Sequence, residues 1–320
     1  MKGRGAASGD AAPQNNSMYD IIIVGGGPAG LCAAIYARRA NKSVLILERD
    51  AFGGQIVFSP KVENYPGFET LSGSELADKL VSHALGQGAD VEVETVTRVR
   101  DEGDVKVVET ESGLSYECRA VIIANGAKHR HLGLPNEEKF IGEGISFCAV
   151  CDGAFYKNKT VALVGGGNSA LQEAILLSET CKKVYVIQNL DFLTGERRLE
   201  EILRKRGNVE IITGTVIAEI PDRPEFDRVV TRRVADGVEQ TLEIDGMFVA
   251  IGLVPENGAF ADVAALDGAG YFASGEDCTT SSRGIFVAGG CRAKGVRQVS
   301  TATSDGAVAA IAACRYIDSL

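Results

Sequence analysis

The chain contains one Cys-x-x-Cys motif, formed by Cys148 and Cys151, and Asp152 follows it directly. Two cysteines at this spacing can close a small disulfide and exchange it with the thiols of a partner. The Asp152 carboxylate could move the protons that such an exchange needs. The residue types and their spacing therefore predict a redox-active pair whose catalytic residues are Cys148, Cys151 and Asp152.

Two other roles are open to the cysteine pair. A zinc site would need two more ligands at matching spacing, and the chain has only three histidines and six further cysteines, scattered singly. A purely structural disulfide is uncommon in the cytosol, where disulfides are usually catalytic or transient. We therefore expect redox chemistry and no metal. The six single cysteines are Cys32, Cys118, Cys181, Cys278, Cys291 and Cys314.

The residues before the pair have the pattern of a dinucleotide-binding unit. The apolar run 20–24 predicts a buried parallel strand, a helix is expected to end near residue 40, and residues 43–48 predict a second strand. Between the first strand and the helix, residues 25–30 read Gly-Gly-Gly-Pro-Ala-Gly. This is a G-x-G-x-x-G motif in its proper context.

Each position of this motif has a physical task. Gly25 would make the turn, Gly27 would let the backbone approach a pyrophosphate, and Gly30 would let the helix pack close to the strand. Amides at the helix start would face the phosphates. Glu48 ends the second strand, where a carboxylate can accept hydrogen bonds from ribose hydroxyls. The unit is therefore predicted to bind a dinucleotide.

The same pattern returns 140 residues later, on the other side of the cysteine pair. Residues 161–164 predict a strand, residues 165–170 read Gly-Gly-Gly-Asn-Ser-Ala, a helix follows to about residue 178, and residues 184–188 predict the next strand. Such a repeat predicts two dinucleotide-type domains, although the second copy could be a degenerate scaffold. The corresponding pairs are Gly25 and Gly165, Gly27 and Gly167, Gly30 and Ala170, and Glu48 and Gln188.

The second unit differs at the position that usually selects the nucleotide. NADH sites carry a carboxylate there and NADPH sites carry arginines, whereas this chain reads Gln188-Asn189-Leu190. The Gln188 amide can bond ribose hydroxyls but supplies no charge. Arg197 and Arg198 fit a solvated helix face over residues 196–206, with Glu200–Arg204 and Glu201–Lys205 pairs. The candidate pyridine-nucleotide residues are Gly165, Gly167, Asn168, Ser169, Ala170 and Gln188.

The rest of the chain predicts further elements. Ser72 and Glu75 form a plausible capping box for a helix to about Leu85. Alternation predicts small antiparallel strands over 91–117. Residues 209–251 also alternate like strands, with a turn at Asp236-Gly237. Buried strands are expected at 120–124 and 285–290. A final helix over about 300–316 could aim its amides at a reduced flavin, or could simply close the fold.

Composition limits the partners. The 320 residues are enough for two domains with their own cores. The net charge of -10 at pH 7 argues against nucleic acids and anionic membrane surfaces, but local groups can still hold small acidic cofactors. No apolar run is long enough to span a membrane comfortably. We expect a cytoplasmic protein with a disordered tail over residues 1–17.

The order of these motifs from about residue 18 to 320 resembles the low-molecular-weight thioredoxin reductase family nearly end to end. No single motif is specific, but their combination is. The matching pieces are Gly-Gly-Gly-Pro-Ala-Gly at 25–30, Gly-Gly-Gln at 53–55, Val-Glu-Asn-Tyr-Pro-Gly at 62–67, Cys-Ala-Val-Cys-Asp-Gly at 148–153, the second glycine loop at 165–170, and Arg-Gln at 297–298.

The resemblance implies an α/β fold of two Rossmann-like, three-layer domains, the second inserted in the first. The FAD domain would comprise residues 18–131 and 255–320, and the inserted domain residues 132–254. By similarity Cys151 faces the flavin, Cys148 attacks the partner disulfide, and Asp152 serves as acid or base. The family is homodimeric, and its inserted domain rotates so that the flavin meets the nicotinamide and the cysteines in turn.

The family pattern also marks the residues expected to contact FAD. Most lie in the first glycine loop, in the segments around residues 53–64, and at the start of the last helix. They are Gly25, Gly27, Pro28, Ala29, Gly30, Glu48, Gly53, Gly54, Gln55, Asn64, Gly126, Gly290, Arg297, Gln298 and Val299.

The chain departs from the family pattern in three ways. Its His-Arg-Arg and a later arginine are Gln188-Asn189-Leu190 and Thr194 here, so NADPH is not the expected donor. Asn125 replaces a threonine. Gly290 replaces an aspartate that holds the ribityl chain of the flavin, and losing a charged hydrogen bond of this kind costs about 1.5–3 kcal/mol.

The sequence therefore predicts an FAD-dependent disulfide reductase acting on thioredoxin or a thioredoxin-like protein. NADH is one possible donor, because the related flavoprotein subunit of alkyl hydroperoxide reductase also lacks those arginines. Reduced ferredoxin is another, because some clostridial-type relatives have lost pyridine-nucleotide binding. The alternatives are a flavin-dependent dithiol oxidase that uses oxygen, and a non-catalytic flavin redox sensor.

Overall fold

The computed structural model describes residues 18–59 and 62–320, and the predicted tail over residues 1–17 lies outside them. The strands, in chain order, are β1 Tyr19–Val24, β2 Val44–Glu48, β3 Asp90–Val93, β4 Val96–Glu102, β5 Val105–Thr110, β6 Ser115–Ile123, β7 Lys128–His129, β8 Ile145–Ser146, β9 Thr160–Val164, β10 Lys183–Ile187, β11 Val209–Ile212, β12 Thr215–Glu219, β13 Arg228–Arg233, β14 Glu239–Glu243, β15 Gly246–Val249, β16 Leu253–Val254 and β17 Ile285–Val287.

The helices are α1 Pro28–Arg39, α2 Gly73–Gly86, α3 Glu137–Phe140, α4 Ala149–Asp152, α5 Asn168–Thr180, α6 Arg197–Arg204 and α7 Val299–Asp318. Short 3₁₀ turns lie at Gly54–Phe58, Gly153–Tyr156, Gly258–Phe260 and Gly289–Cys291. None of the helices within the described part of the chain is long and apolar enough to cross a membrane.

The first sheet has seven strands in the order β3-β2-β1-β6-β5-β4, with β17 also paired to β6. Alternate residues of β1 contribute to two hydrophobic cores. Ile21 and Ile23 pack under α1 and α7, whereas Ile22 and Val24 pack on the opposite face of the sheet. A parallel strand that is buried on both faces reads as a continuous apolar run. Because β17 comes after the second sheet in the chain, the first sheet is built from both ends of the sequence.

The second sheet repeats this plan with five parallel strands in the order β11-β10-β9-β15-β8. Val161 and Leu163 of β9 pack with α5, whereas Ala162 and Val164 face the core shared with the antiparallel sheet β12-β13-β14. The two chain segments that connect the two sheets pair with each other, β7 against β16, and this pair is called the crossover ribbon below. The second Rossmann-like domain is thus inserted in the first, as the sequence predicts.

Several sequence predictions need correction. Residues 91–117 are not all antiparallel, because β3 joins the first sheet as a parallel neighbour of β2. The predicted strand 120–124 is not separate, since β6 runs unbroken from Ser115 to Ile123. The predicted strands over 209–251 are present: β11 lies parallel to β10 and β15 parallel to β9, while β12, β13 and β14 form the antiparallel sheet. Alternation predicts a half-buried strand but does not say which neighbour it pairs with.

Helix and strand ends also differ in places. The Ser72–Glu75 capping box is present. The strand predicted over 285–290 ends at Val287, because Gly289 has a positive φ of 82° and turns the chain. On α6, Glu200 pairs with Arg204 as predicted, but Glu201 pairs with Arg197.

Candidate active site

The cysteine pair closes a disulfide on a single helical turn. Cys148 is the N-cap of α4, its Cα lies 5.3 Å from that of Cys151, and both residues are half-buried. The Cys148 Sγ accepts a hydrogen bond from the Cys151 amide at 3.2 Å, and the Cys148 carbonyl accepts one from the Asp152 amide at 3.0 Å. The turn therefore holds both sulfur atoms and the following carboxyl as one rigid unit.

The Asp152 carboxyl is buried beside the disulfide, at 9% exposure. Its Oδ2 accepts a hydrogen bond from the Ser146 hydroxyl at 2.6 Å. Burial raises the pKa of Asp152, and hydrogen bonds from the Ser146 and Ser59 hydroxyls oppose this rise. Ser59 belongs to the loop after the 54–58 turn of the first domain, so the acid of the inserted domain faces the first domain. A carboxyl with a raised pKa keeps its proton to higher pH, which suits a proton donor.

A second carboxyl, which the sequence interpretation missed, contacts the same turn. Glu173 lies on α5, and its Oε2 accepts a hydrogen bond from the Ala149 amide at 3.2 Å. Burial raises the pKa of Glu173 to about 7. The signal in the sequence was weak, because a glutamate one turn into a helix is normally read as a solvated residue.

The crossover ribbon contacts the residue that precedes Cys148. Phe147 lies between two imidazole rings, with centroids 5.0 Å from that of His129 and 4.9 Å from that of His131. Burial lowers the pKa of His129 to about 4, so this ring is neutral near pH 7. His131 Nδ1 lies 2.8 Å from Glu138 Oε1. The helical turn that carries Cys148 and Cys151, called the redox turn below, is thus connected through Phe147 to the segment that joins the two domains.

The first glycine loop has the backbone that its motif predicts. Gly25 has a φ of 108°, and a Cβ there would lie 2.4 Å from the Ala124 carbonyl oxygen. A Cβ at Gly30 would lie 1.9 Å from the Gly25 oxygen, so α1 can start this close to β1 only with glycine. Pro28 occupies the first turn of α1, where its missing amide hydrogen removes no helix bond. Ala29 packs under α7.

Glu48 is held in a fixed orientation at the end of β2. Its Oε2 accepts from the Gly26 amide at 2.6 Å, and its Oε1 from the Asp50 amide at 3.1 Å. The carboxylate therefore stays at the mouth of the loop, where the sequence predicts a ribose.

Several glycines beside this loop form a surface on which no side chain projects. Gly27 and Gly54 face each other, since a Cβ at Gly54 would lie 3.2 Å from the Gly27 Cα, and Gly53 donates to the Gly26 oxygen at 2.8 Å. A Cβ at Gly126 would have no neighbour within 4 Å, and one at Gly290 only backbone at 3.5 Å or more. Such a surface lets a long ligand lie directly on the backbone. The residues present thus fit FAD.

The remaining predicted FAD residues lie around the start of α7. The Asn64 Nδ2 donates to Gln298 Oε1 at 3.3 Å, and Gln298 is the N-cap of α7, which begins at Val299. The Arg297 guanidinium donates to the carbonyls of Gly290, Arg292 and Lys294, and it stacks on Tyr271 at 4.2 Å. Its side chain therefore fixes the 290–294 loop. Gln55 is exposed on the 54–58 turn.

The second glycine loop copies the first in its backbone. Gly165 has a φ of 138°, and a Cβ there would lie 2.4 Å from the Ala250 oxygen. The amides of Thr194 and Gly195 donate to the Gly166 oxygen at 2.8 Å, as Gly53 does to Gly26. The buried Gln188 side chain packs against Gly166, where a Cβ would lie 2.6 Å from its Cδ.

The charge beside this second loop is negative. Asn168, Ser169 and Ala170 form the start of α5. The Asn168 side chain accepts a hydrogen bond from the Glu196 amide at 2.6 Å and donates one to the Glu196 carboxylate at 3.2 Å. Gly167 lies beside Thr194, because a Cβ at Gly167 would be 3.8 Å from the Thr194 hydroxyl oxygen. The Arg197 side chain is 91% exposed and pairs with Glu201. The loop thus meets a carboxylate where an anionic ligand would need a cation.

No group of three or more histidine, cysteine, aspartate or glutamate side chains in residues 18–59 and 62–320 is arranged to hold a metal ion. The redox site is therefore described by the disulfide, two carboxyls and the glycine surface alone.

A family model described as pyridine nucleotide-disulphide oxidoreductase matches residues 19–306, and the chain belongs to this family. It is 41% identical over 304 residues to the thioredoxin reductase of Listeria innocua, covering 95% of each chain. The thioredoxin reductase structure from Streptococcus pyogenes superposes with a TM-score of 0.89 at 39% identity, covering 96% of this chain and 100% of that one. Within the family, the chain is therefore of the low-molecular-weight thioredoxin reductase type, a flavin-dependent disulfide oxidoreductase with FAD as its cofactor.

A third relative superposes less well. The Lactococcus lactis thioredoxin reductase in its FR conformation is 36% identical and covers 94% of this chain and 100% of that one, with a TM-score of 0.67.

Proposed function

We propose that this protein is an FAD-dependent thioredoxin-disulfide reductase, or the reductase of a thioredoxin-like protein. Electrons would pass from a donor to FAD, then to the Cys148–Cys151 disulfide, and then to the disulfide of the partner. The observation that carries the proposal is the disulfide on its one-turn helix, with the buried Asp152 carboxyl facing Ser59 of the first domain. The relatives named as thioredoxin reductases support the choice of partner.

FAD supplies the two-electron chemistry between the donor and the disulfide. The first glycine loop, Gly25 to Gly30, would hold its pyrophosphate, and Glu48 its ribose. Gly53, Gly54 and Gly126 would leave room for the cofactor, while Gln55, Asn64, Gln298 and Val299 would contact it. In this structure Arg297 would act by fixing the loop that carries Gly290.

The reduced cysteine pair would act by thiol exchange. The Cys148 thiolate attacks one sulfur of the partner disulfide, which forms a mixed disulfide and releases the other sulfur as a thiolate. Cys151 then attacks the Cys148 sulfur, which re-forms the internal disulfide and releases the second partner thiol. Asp152, whose carboxyl keeps its proton to higher pH because burial raises its pKa, would donate a proton to the departing thiolate.

The pairing of β7 with β16 supports the proposed domain bounds. We assign residues 18–131 and 255–320 to the FAD domain and residues 132–254 to the inserted domain, and we expect rotation about this ribbon. The TM-scores of 0.89 and 0.67 for two relatives of similar identity are consistent with such a rotation. A homodimer in the cytoplasm remains our expectation from the family resemblance.

The donor is proposed to be NADH or reduced ferredoxin rather than NADPH. At the second loop Gln188 is neutral, Glu196 adds a negative charge, and Arg197 pairs with Glu201. Arg198 is exposed on α6. A 2′-phosphate would therefore meet the Glu196 carboxylate, whose charge disfavours its binding. The intact backbone of the loop keeps NADH possible.

Anaerobic stopped-flow absorbance on the FAD-loaded protein tests the donor. NADPH, NADH and reduced ferredoxin are mixed with it separately, and flavin bleaching is followed. We expect bleaching with NADH or ferredoxin and none with NADPH; fast bleaching by NADPH would contradict the proposal. The exposed pair Asn189→Arg with Leu190→Arg should gain response to NADPH, whereas Asn189→Gln with Leu190→Gln serves as the uncharged control.

The same protein distinguishes the alternative reactions. Rapid reoxidation by oxygen with a small dithiol as substrate would indicate a dithiol oxidase. Retention of the biological role in Cys148→Ser would indicate a flavin redox sensor.

A further inference from the structure

Glu173 connects the second glycine loop to the redox turn. It lies on α5, the helix that starts at that loop with Asn168. Its carboxyl group reaches α4, where the Glu173 Oε2 accepts a hydrogen bond from the Ala149 amide at 3.2 Å. A carboxyl is thus in direct contact with the residue that follows Cys148.

Two amides of the one-turn helix contact groups outside its backbone ladder. The Cys151 amide points to the Cys148 Sγ at 3.2 Å, whereas the Ala149 amide is occupied by Glu173. Amides at the start of a helix stabilise a thiolate there, and a neighbouring carboxylate opposes it. The charge on Glu173 is therefore placed to act on Cys148.

No cation in the described residues is paired with Glu173. The elements packed against α5 carry Asp152 on α4, Tyr156 on the following 3₁₀ turn, Lys183 and Tyr185 on β10, and the charged side chains of α6. The Ala149 amide is the one polar group that lowers the pKa of Glu173, and burial outweighs it, so this pKa rises to about 7. The carboxyl thus changes its charge near neutral pH.

We propose that Glu173 is a positioning residue for the dithiol: its carboxyl holds the turn that carries Cys148, and its charge sets how readily Cys148 becomes a thiolate. This inference rests on the proposed role of Cys148 as the attacking thiol. As the pH rises through neutrality, Glu173 ionises and its negative charge raises the pKa of the Cys148 thiol. When Glu173 is protonated, the thiolate meets no such charge.

The variant Glu173→Gln separates the two roles. The glutamine oxygen can still accept from the Ala149 amide but carries no charge. Glu173→Ala removes both the charge and the acceptor. Glu179→Gln is the matched control, because Glu179 lies on the same helix but is exposed and pairs with Arg206.

The test measures Cys148 alone, in FAD-loaded protein that also carries Cys151→Ser. Iodoacetamide labelling of the Cys148 peptide is followed by mass spectrometry across neutral pH. Above neutral pH we expect Glu173→Gln to label about three- to tenfold faster than the Glu173 parent, because a carboxylate near a thiol raises its pKa. Glu179→Gln should match the parent at every pH.

Equal pH profiles for the parent and Glu173→Gln would overturn the proposal, as would slower labelling of Glu173→Gln. Retained flavin absorbance shows that each variant is folded. The assay uses no thioredoxin and no electron donor, so the outcome is separate from the proposed function. Faster labelling together with a failure to reduce thioredoxin would leave the inference standing and refute the proposed partner.

Discussion

Gly290 offers a direct test of how this chain holds its flavin. The family resemblance implies an aspartate at this position that bonds the ribityl chain. In this structure a Cβ at Gly290 would lie 3.5 Å from the Ala127 amide nitrogen and 3.7 Å from Gly126, both ordinary contacts. Gly290 does not have a positive φ, unlike its neighbour Gly289 at 82°. Gly290→Asp should therefore fold without strain.

The gain in FAD affinity follows from the bond that is restored. A hydrogen bond to a charged group contributes about 1.5–3 kcal/mol. Since about 1.4 kcal/mol corresponds to a tenfold change in Kd, FAD should bind Gly290→Asp about 10- to 150-fold more tightly than the parent protein. Gly290→Asn places an uncharged acceptor at the same position and should give a smaller gain.

The assay titrates apoprotein with FAD and follows quenching of flavin fluorescence. Gly289→Ala is the strained control, because its Cβ would lie 2.9 Å from the Ala29 Cβ and its φ is positive, so it should weaken binding. If Gly290→Asp bound FAD no more tightly than the parent, the assignment of Gly290 to the flavin surface would be wrong.

Three further predictions concern the glycine loop, the acid and the buried ion pair. Gly30→Ala should lower the free energy of unfolding by about 3 kcal/mol in thermal denaturation, because its Cβ would lie 1.9 Å from the Gly25 oxygen, whereas Ala170→Gly should cost only about 1 kcal/mol. Asp152→Asn should slow reduction of a partner disulfide by about 10²- to 10⁴-fold in rapid-quench assays. In the parent this rate should fall as the pH rises through the raised pKa of Asp152, whereas the rate of the variant should not show that fall. Asp305→Ala should destabilise the protein by about 3–5 kcal/mol in urea, because it removes the buried carboxylate that bonds the Arg292 guanidinium at 2.8 Å and leaves this cation only the exposed Glu276; an unchanged midpoint would contradict this.

The parts of the site that the sequence predicted are those with local causes. The turn at Gly25 and the close contact at Gly30 are set by residues within one strand–turn–helix unit, so the motif determines them. The repeat of this unit at Gly165 predicted the second domain for the same reason. The closed disulfide followed from the spacing of Cys148 and Cys151.

The parts that escaped prediction depend on contacts between distant segments. Glu173 meets Ala149 across 24 positions of the chain, and neither residue has a distinctive neighbourhood in the sequence. Phe147 is placed between His129 and His131 only because the inserted domain folds back on the crossover ribbon. The parallel pairing of β3 likewise depends on where β2 lies. Periodicity carries no information on such partners.

The most direct test of the central claim leaves the donor out. The FAD-loaded protein is photoreduced without oxygen and mixed with oxidised thioredoxin, and the thioredoxin thiols that form are counted by labelling. The account predicts that the parent reduces thioredoxin, that Cys148→Ser does not, and that Cys151→Ser stops at a mixed disulfide on Cys148. Thioredoxin that stays oxidised in the presence of the reduced parent protein would contradict the account.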